Sequence, residues 1–237
     1  MGLLGDILPP TVAWAERFDD ADPVAPFPEE EAAVAAAGVE RRRSFRTVRH
    51  CARLAMADLG RPPAPVTPGA SRAPCWPEGL VGSMTHCAGY RGAALGPASA
   101  LLSIGIDAEP HRPVPERLAQ AVSLLEERAA LARLTAVYPH IHAERLLFSA
   151  KEAVYKAWFP LTRSWLGFDE ATVSFLPDGR FTARLLPPGP VVDGSRLTAF
   201  PGRWLVRHGL VLTAIVLERP PADHAPRVPT EHIGRGP

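Results

Sequence analysis

Apolar residues return at helical spacing from Glu29 to Asp58, with one interruption at Gly38. The second part, VERRRSFRTVRHCARLAMADLG, ends at Gly60, and Pro62 and Pro63 mark its stop. GLVGSMTHCAGYRGAALG then changes period and predicts two short strands about a turn at Ala88–Gly89. ALLSIGIDAEP predicts a third strand, ended by Pro110. Residues 111–142 are mixed, with helical character in LLEERAALARL, and residues 143–162 predict one long helix stopping near Pro160. Two hairpins follow: ATVSFLPDGRFTARLL, turning at Pro177–Asp178–Gly179, and RWLVRHGLVLTAIVLE, turning near His208–Gly209. Residues 1–27 read as an extended opening, 61–79 as a Pro/Gly/Ser loop, and the polar, Pro-rich stretch from Pro220 as a disordered tail.

Helices, three strands, helices and four strands make an α+β fold. Two halves of similar make-up are expected in a pseudo-twofold arrangement: 1–105 and 106–219, with the tail at 220–237. No clear internal repeat joins them. A cleft at their interface is the expected ligand site.

Composition narrows the function classes. A chain of 237 residues can bury a real core, and 46% apolar with 22% charged residues is ordinary for a soluble protein. A net charge of +1 gives no field to draw the whole molecule to nucleic acid or an anionic membrane. No apolar run is long enough to span a bilayer. MGLLGDILPP lacks the basic start and apolar core of a secretory signal. Cys51, Cys75 and Cys87 are odd in number and form no C-x-x-C pair, so reduced thiols in a cytoplasmic protein are expected. Arginine supplies the cations almost everywhere. The two lysines, Lys151 and Lys156, both lie in FSAKEAVYKAW, residues 148–158.

Three clusters could carry chemistry. In LLSIGIDAE, period two sets Leu102, Ile104 and Ile106 on one strand face and Ser103, Gly105, Asp107 and Glu109 on the other. The two carboxylates would lie about 7 Å apart, unfavourable unless solvated, protonated or bridged by a cation. A solvated strand end is the simpler account of D-x-E alone. In the long helix, Val154, Ala157, Trp158 and Leu161 form a core stripe, while Glu152 and Lys156 share another side flanked by Phe148 and Phe159. An exposed i,i+4 ion pair is the simple reading, but two phenylalanines make that side a cleft or a packing surface. Glu152 can therefore join Asp107 and Glu109, and three carboxylates with phosphate and water form the usual shell of Mg²⁺. Lysine's compact charge and tunable pKa suit a phosphate contact or a proton donor at a leaving oxygen. In RRRSFRTVRH, Arg41, Phe45 and Arg49 share a helix face. Taken alone this is a solvated basic face, but two guanidinium groups can converge on one phosphate. His86, beside Thr85 in GSMTHC, is an incidental histidine when taken by itself. His140 and His142 lack a third metal ligand.

The order of these pieces resembles the 4′-phosphopantetheinyl transferases, in their larger monomeric class. The pieces are R-x₃-F-x₃-R, G-S-M-T-H, IGIDAE and FSAKEAVYKAW. The resemblance covers roughly residues 38 to 175. It implies transfer of the phosphopantetheine arm of coenzyme A to a serine of an apo acyl or peptidyl carrier protein, giving 3′,5′-ADP. It implies Mg²⁺, or Mn²⁺, held by Asp107, Glu109 and Glu152, with Glu152 also the base for the serine proton. Lys156 matches a lysine near the pyrophosphate, and Lys151 a neighbouring motif lysine. Arg41, Arg49 and His86 match positions that bind the 3′-phosphate. Thr85, Arg72 and Trp165 complete the expected coenzyme contacts, with Phe148 and Tyr155 as further channel walls. Pro68 stands where relatives often carry lysine, and Arg72 is the lone basic residue of PVTPGASRAPCW. Residues 112–142 are where relatives often meet the carrier. Nucleic acid and membrane are not expected partners. A CoA pyrophosphatase and an inactive CoA- or carrier-binding module are the alternatives.

Overall fold

The computed structural model describes residues 2–20, 25–192 and 194–220. Its strands are β1 (Ala13–Arg17), β2 (Leu80–Cys87), β3 (Tyr90–Pro97), β4 (Leu101–Pro110), β5 (Ala171–Phe175), β6 (Arg180–Leu185), β7 (Val191–Val192), β8 (Ser195–Arg196), β9 (Ala199–Arg207) and β10 (Leu210–Glu218). Its helices are α1 (Pro28–Val34), α2 (Val39–Asp58), α3 (Glu116–Val122), α4 (Leu125–Val137) and α5 (Ala143–Thr162). The strands form antiparallel sheets in the orders β1-β3-β2 and β4-β10-β9-β6-β5, plus the small pair β7-β8. The fold is α+β. No described helix is long and apolar enough to cross a membrane.

Turn chemistry places the hairpins where the residues call for them. Gly89 has φ +76, Gly179 φ +82 and the pair His208–Gly209 φ 54 and 73, the left-handed conformations that tight hairpins use. α2 packs on the three-stranded sheet through Cys51, Ala52, Ala55 and Met56 against Ala93 and Leu95. α5 packs on the five-stranded sheet through Leu147, Ala150, Val154 and Ala157. The far side of β4 and β10 is covered by the N-terminal Leu3, Leu4, Ile7 and Leu8. With both faces covered, β4 is buried over its first eight residues. Glu16 ties the N-terminal segment down, accepting the Leu3 and Leu4 amides and the Tyr90 hydroxyl.

Several expectations change. Residues 13–17, read as part of an extended opening, are a strand paired with β3. The mixed segment 111–142 holds two helices, α3 and α4. α5, by contrast, keeps the expected bounds, Ala143–Thr162; it runs through Pro160 and ends at Arg163, left-handed with φ 55. Leu102 does not share a face with Ile104 and Ile106. A bulge, where the β10 register passes from Leu217↔Ser103 to Glu218↔Leu101, gives that place to Leu101 and turns Leu102 into the α5 core. The expected division at 105/106 falls inside β4, a continuous strand that belongs to the larger sheet. The expected tail, except for Pro220, lies outside the described residues.

The two large sheets meet at β2 and β4, which run parallel. In place of a backbone ladder, Ser83 Oγ accepts the Ile106 amide at 3.1 Å and Thr85 Oγ1 accepts the Ala108 amide at 3.0 Å. On the other side α5 approaches β4 very closely. A Cβ on Gly105 would lie 2.0 Å from the Ala153 carbonyl oxygen, so only glycine fits. Ser103 Oγ donates to the Ala157 carbonyl at 2.8 Å. The space left by these small residues is filled by the α5 main chain.

Candidate active site

The junction of β2, β4 and α5 brings Asp107 and Lys156 together. Lys156 Nζ donates to Asp107 Oδ1 at 2.7 Å and to the Ile106 carbonyl at 3.1 Å. Thr85 Oγ1 also donates to Asp107 Oδ1, at 3.3 Å. Asp107 is 5% exposed, and its other oxygen, Oδ2, is buried with no hydrogen-bond partner. A buried carboxylate oxygen without a partner is costly unless something binds it.

Two more carboxylates feel this charge. Burial pushes the Glu152 carboxyl above its usual pKa; Lys156 opposes the rise and Asp107 adds to it. Glu109 is raised first by burial and then by Asp107, against the pull of Arg145, whose Nη1 donates to Glu109 Oε2 at 2.8 Å. Among the described residues no three Asp, Glu, His or Cys side chains gather closely enough to hold an ion as they stand. The set still fits a hard cation chemically, with all-oxygen donors and an unpartnered Oδ2 at its centre.

Beside this cluster lies a cleft of about 1020 Å³. α5 lines it with Glu152, Tyr155, Lys156 and Phe159, α2 with Arg41, Phe45 and Arg49, β2 with Ser83 and His86, and the loop 68–76 closes the rim. Arg49 is held inside the wall. Its Nε donates to the Val66 carbonyl at 2.7 Å, Nη1 donates to the Phe45 carbonyl at 3.3 Å, and its guanidinium lies 3.1 Å from the Phe45 ring centroid. Burial lowers its pKa to about 10, which leaves it charged at neutral pH. Arg41 is exposed at the mouth. His86 presents an edge to solvent, yet the atoms crowding it lower its pKa, helped by Lys156, Arg91 and Arg41. The cleft lining is thus rich in cations, with Arg41, Arg49, Arg72 and Lys156, and carries Glu152 as its carboxylate.

Comparison with known proteins fixes the family. Residues 29–96 match the 4′-phosphopantetheinyl transferase N-terminal domain, and residues 103–204 match the 4′-phosphopantetheinyl transferase superfamily. The chain is 50% identical to 4′-phosphopantetheinyl transferase PptT of Mycobacterium tuberculosis, over 91% of this chain and 98% of the relative. The chain belongs to the 4′-phosphopantetheinyl transferase family. It is 53% identical to 4′-phosphopantetheinyl transferase Svp of Streptomyces mobaraensis, over 92% of this chain and 90% of that one. Enterobactin synthase component D of Salmonella typhi is more distant, 31% identical over 80% of this chain and 78% of its own.

Within this transferase the residues singled out from sequence do not all meet. Arg41, Arg49, Arg72, His86, Glu152 and Lys156 line the cleft. Asp107 sits one hydrogen bond behind Lys156. Thr85, expected at the coenzyme, is buried and serves Asp107 and the Ala108 amide instead. Trp165, expected as a channel wall, is 74% exposed and lies tilted at 52° beside Tyr155, with centroids 4.9 Å apart. Phe148, partly buried, packs beside Phe168 against the core. Lys151, expected at the coenzyme, is buried on another side of α5 and outside the cleft, because three acceptors hold its ammonium there. Sequence reasoning missed Arg145. It sits about two turns before the K-E pair on α5, and its Nε and Nη2 also cap the Arg112 and Pro113 carbonyls at 3.2 Å. A helical arginine four residues before Ser149 carries no signal of its own.

Proposed function

We propose that this transferase moves the 4′-phosphopantetheine arm of coenzyme A onto a serine of an apo acyl or peptidyl carrier protein, releasing 3′,5′-ADP, with Mg²⁺ as its metal. Asp107 carries the reading: a nearly buried carboxylate with one oxygen on Lys156 and the other unpartnered, at the edge of a cationic cleft. The family and the identity to transferases over nine-tenths of the chain support it.

The reaction exchanges a phosphoanhydride bond for a phosphoester bond. The serine hydroxyl attacks the phosphorus that bears pantetheine, the bond from that phosphorus to the bridging oxygen breaks, and 3′,5′-ADP leaves. Glu152 takes the serine proton, directly or through a water; burial has already raised its pKa toward the range of a working base. Lys156 neutralises charge at the pyrophosphate as the bond breaks. Asp107, Glu109 and Glu152 would hold the metal, which when bound supplies Lewis-acid neutralisation of the phosphates. Arg41, Arg49 and His86 read the 3′-phosphate, and Arg72 adds a cation at the rim. Phosphoryl transfer rests chiefly on such positioning and charge. We take the compartment to be the cytoplasm, consistent with free thiols at Cys51, Cys75 and Cys87.

The test is direct. The protein is mixed with coenzyme A, Mg²⁺ and an apo carrier domain, and the carrier is read by mass spectrometry. A phosphopantetheine adduct on serine is expected. Cleavage of coenzyme A with no adduct on several carriers would replace transfer by hydrolysis. Coenzyme binding with neither outcome would leave only a binding module.

A further inference from the structure

FSAKEAVYKAW holds both lysines of the chain, yet only Lys156 lines the cleft. The Lys151 side chain is 1% exposed. Its Nζ donates at 2.7 Å to each of three acceptors: the Val122 carbonyl, Glu127 Oε2 and the Phe168 carbonyl. These belong to three separate elements, the last residue of α3, the first turn of α4 and the 3-10 turn that leads into β5. An ammonium has three donors, so none is left for a ligand. Glu127 is equally committed. Its Oε1 accepts the Val173 amide at 2.7 Å, and its Oε2 also accepts the Leu124 amide at 2.8 Å. Burial lowers the Lys151 pKa, and Glu127 acts against this to keep the ammonium charged.

This arrangement needs lysine. The planar fork of arginine cannot aim three donors from one nitrogen at three separate elements. One lysine of an arginine-rich chain is thereby accounted for without a ligand. A buried ion pair is weak evidence for stability, because apolar residues of similar volume often serve as well. It does choose one register. If α5 slid or turned, three short bonds would lengthen together. Glu152 is the next residue on the same rigid helix, and Lys156 follows one turn later.

We infer that Lys151 is a positioning residue: with Glu127 it locks the axial position and rotation of α5, and so holds Glu152 and Lys156 against Asp107. This rests on the role proposed above for Glu152. It differs from a coenzyme contact, which the place of Lys151 in the motif would otherwise imply.

The two roles separate in one experiment on the full chain. Lys151→Met combined with Glu127→Leu removes the pair and keeps its volume. Unfolding temperature, coenzyme A affinity by calorimetry and steady-state transfer are measured together. Positioning predicts a folded protein with unchanged coenzyme Kd and KM, and a kcat lower by about tenfold to a hundredfold. Lys151→Arg keeps the charge and does not restore kcat. A weakened coenzyme Kd overturns the inference, because Lys151 then touches the ligand. A kcat equal to the wild type also overturns it, because the pair is then packing alone. Should the double variant not fold, Glu127→Gln gives the answer: lowered kcat with unchanged Kd supports positioning, and unchanged kcat refutes it. A Glu152→Gln variant that turned over normally would instead mark failure of the functional reading.

Discussion

Glu152 and Asp107 are acidic side chains in different surroundings. Asp107 has Lys156 and Thr85 on one oxygen; Glu152 has burial and a neighbouring negative charge. Glu152→Gln keeps the shape and removes the proton acceptor. It is expected to lower transfer by about 10²–10⁴-fold with little change in unfolding temperature. Near-normal turnover, measured with a carrier domain, would exclude Glu152 as the base. His86 gives a second prediction at this scale. Its pKa lies below the ordinary value, so it is neutral in the free protein at pH 7 to 8. A phosphate dianion beside it favours the imidazolium and raises that pKa. Coenzyme binding is therefore expected to take up a proton and to strengthen as pH falls from 8 toward 6. Calorimetry in buffers of different ionisation enthalpy measures this, and His86→Gln should abolish the uptake. The legible residues were those that belong to a local pattern: D-x-E on a strand, K-E-x₃-K on a helix. The surroundings of Lys151 were not legible because its partners lie 17 to 29 positions away and two of them are carbonyls, which no side-chain pattern records.

At the scale of elements, α2, α5 and the hairpins were readable because each carries its own period and its own stop. β1 was not. AWAER is half-buried at every position, so the inside–outside alternation of a strand is absent. α3 and α4 were blurred into one mixed stretch because α3 has seven residues, too few for a period to stand out. The contact of α5 with β4 makes the sharpest element-level prediction. Gly105→Ala puts a methyl carbon 2.0 Å from the Ala153 carbonyl oxygen and 2.8 Å from the Ala157 nitrogen. The helix must back away, at a cost of about 1–3 kcal/mol or more. Both the unfolding temperature and kcat should fall, since the same helix carries Glu152 and Lys156. A variant as stable and active as the wild type would mean that α5 has slack at this point. Sequence could only place Gly105 on a strand face; what packs against that face is a main chain 48 positions away.

Across the whole molecule, the cleft takes its walls from both large sheets, and β2 against β4 sets the spacing between them. That junction depends on two hydroxyls rather than a ladder of peptide bonds. Thr85→Val keeps the side-chain shape but deprives the Ala108 amide and Asp107 of a partner. Leaving a buried donor unsatisfied costs about 1–3 kcal/mol. The expected result is a lower unfolding temperature and a loss of transfer larger than the stability loss explains. An equal loss of stability with full activity would show that Thr85 serves the fold alone. The point where the chain passes from one sheet to the other was not legible, because β4 has the sequence of an ordinary buried strand and gives no sign of which sheet it joins.

The near-absence of lysine has a practical consequence. Apart from its α-amino group, the chain offers an acylating or carbamylating reagent two amines, and they differ sharply in access: 1% of the Lys151 side chain is exposed, against 28% for Lys156. A single lysine modification on the folded protein therefore reports one place, beside Asp107 in the cleft. Mild amine labelling followed by peptide mapping becomes an occupancy assay that needs no engineered tag, with coenzyme A shielding the one peptide that matters.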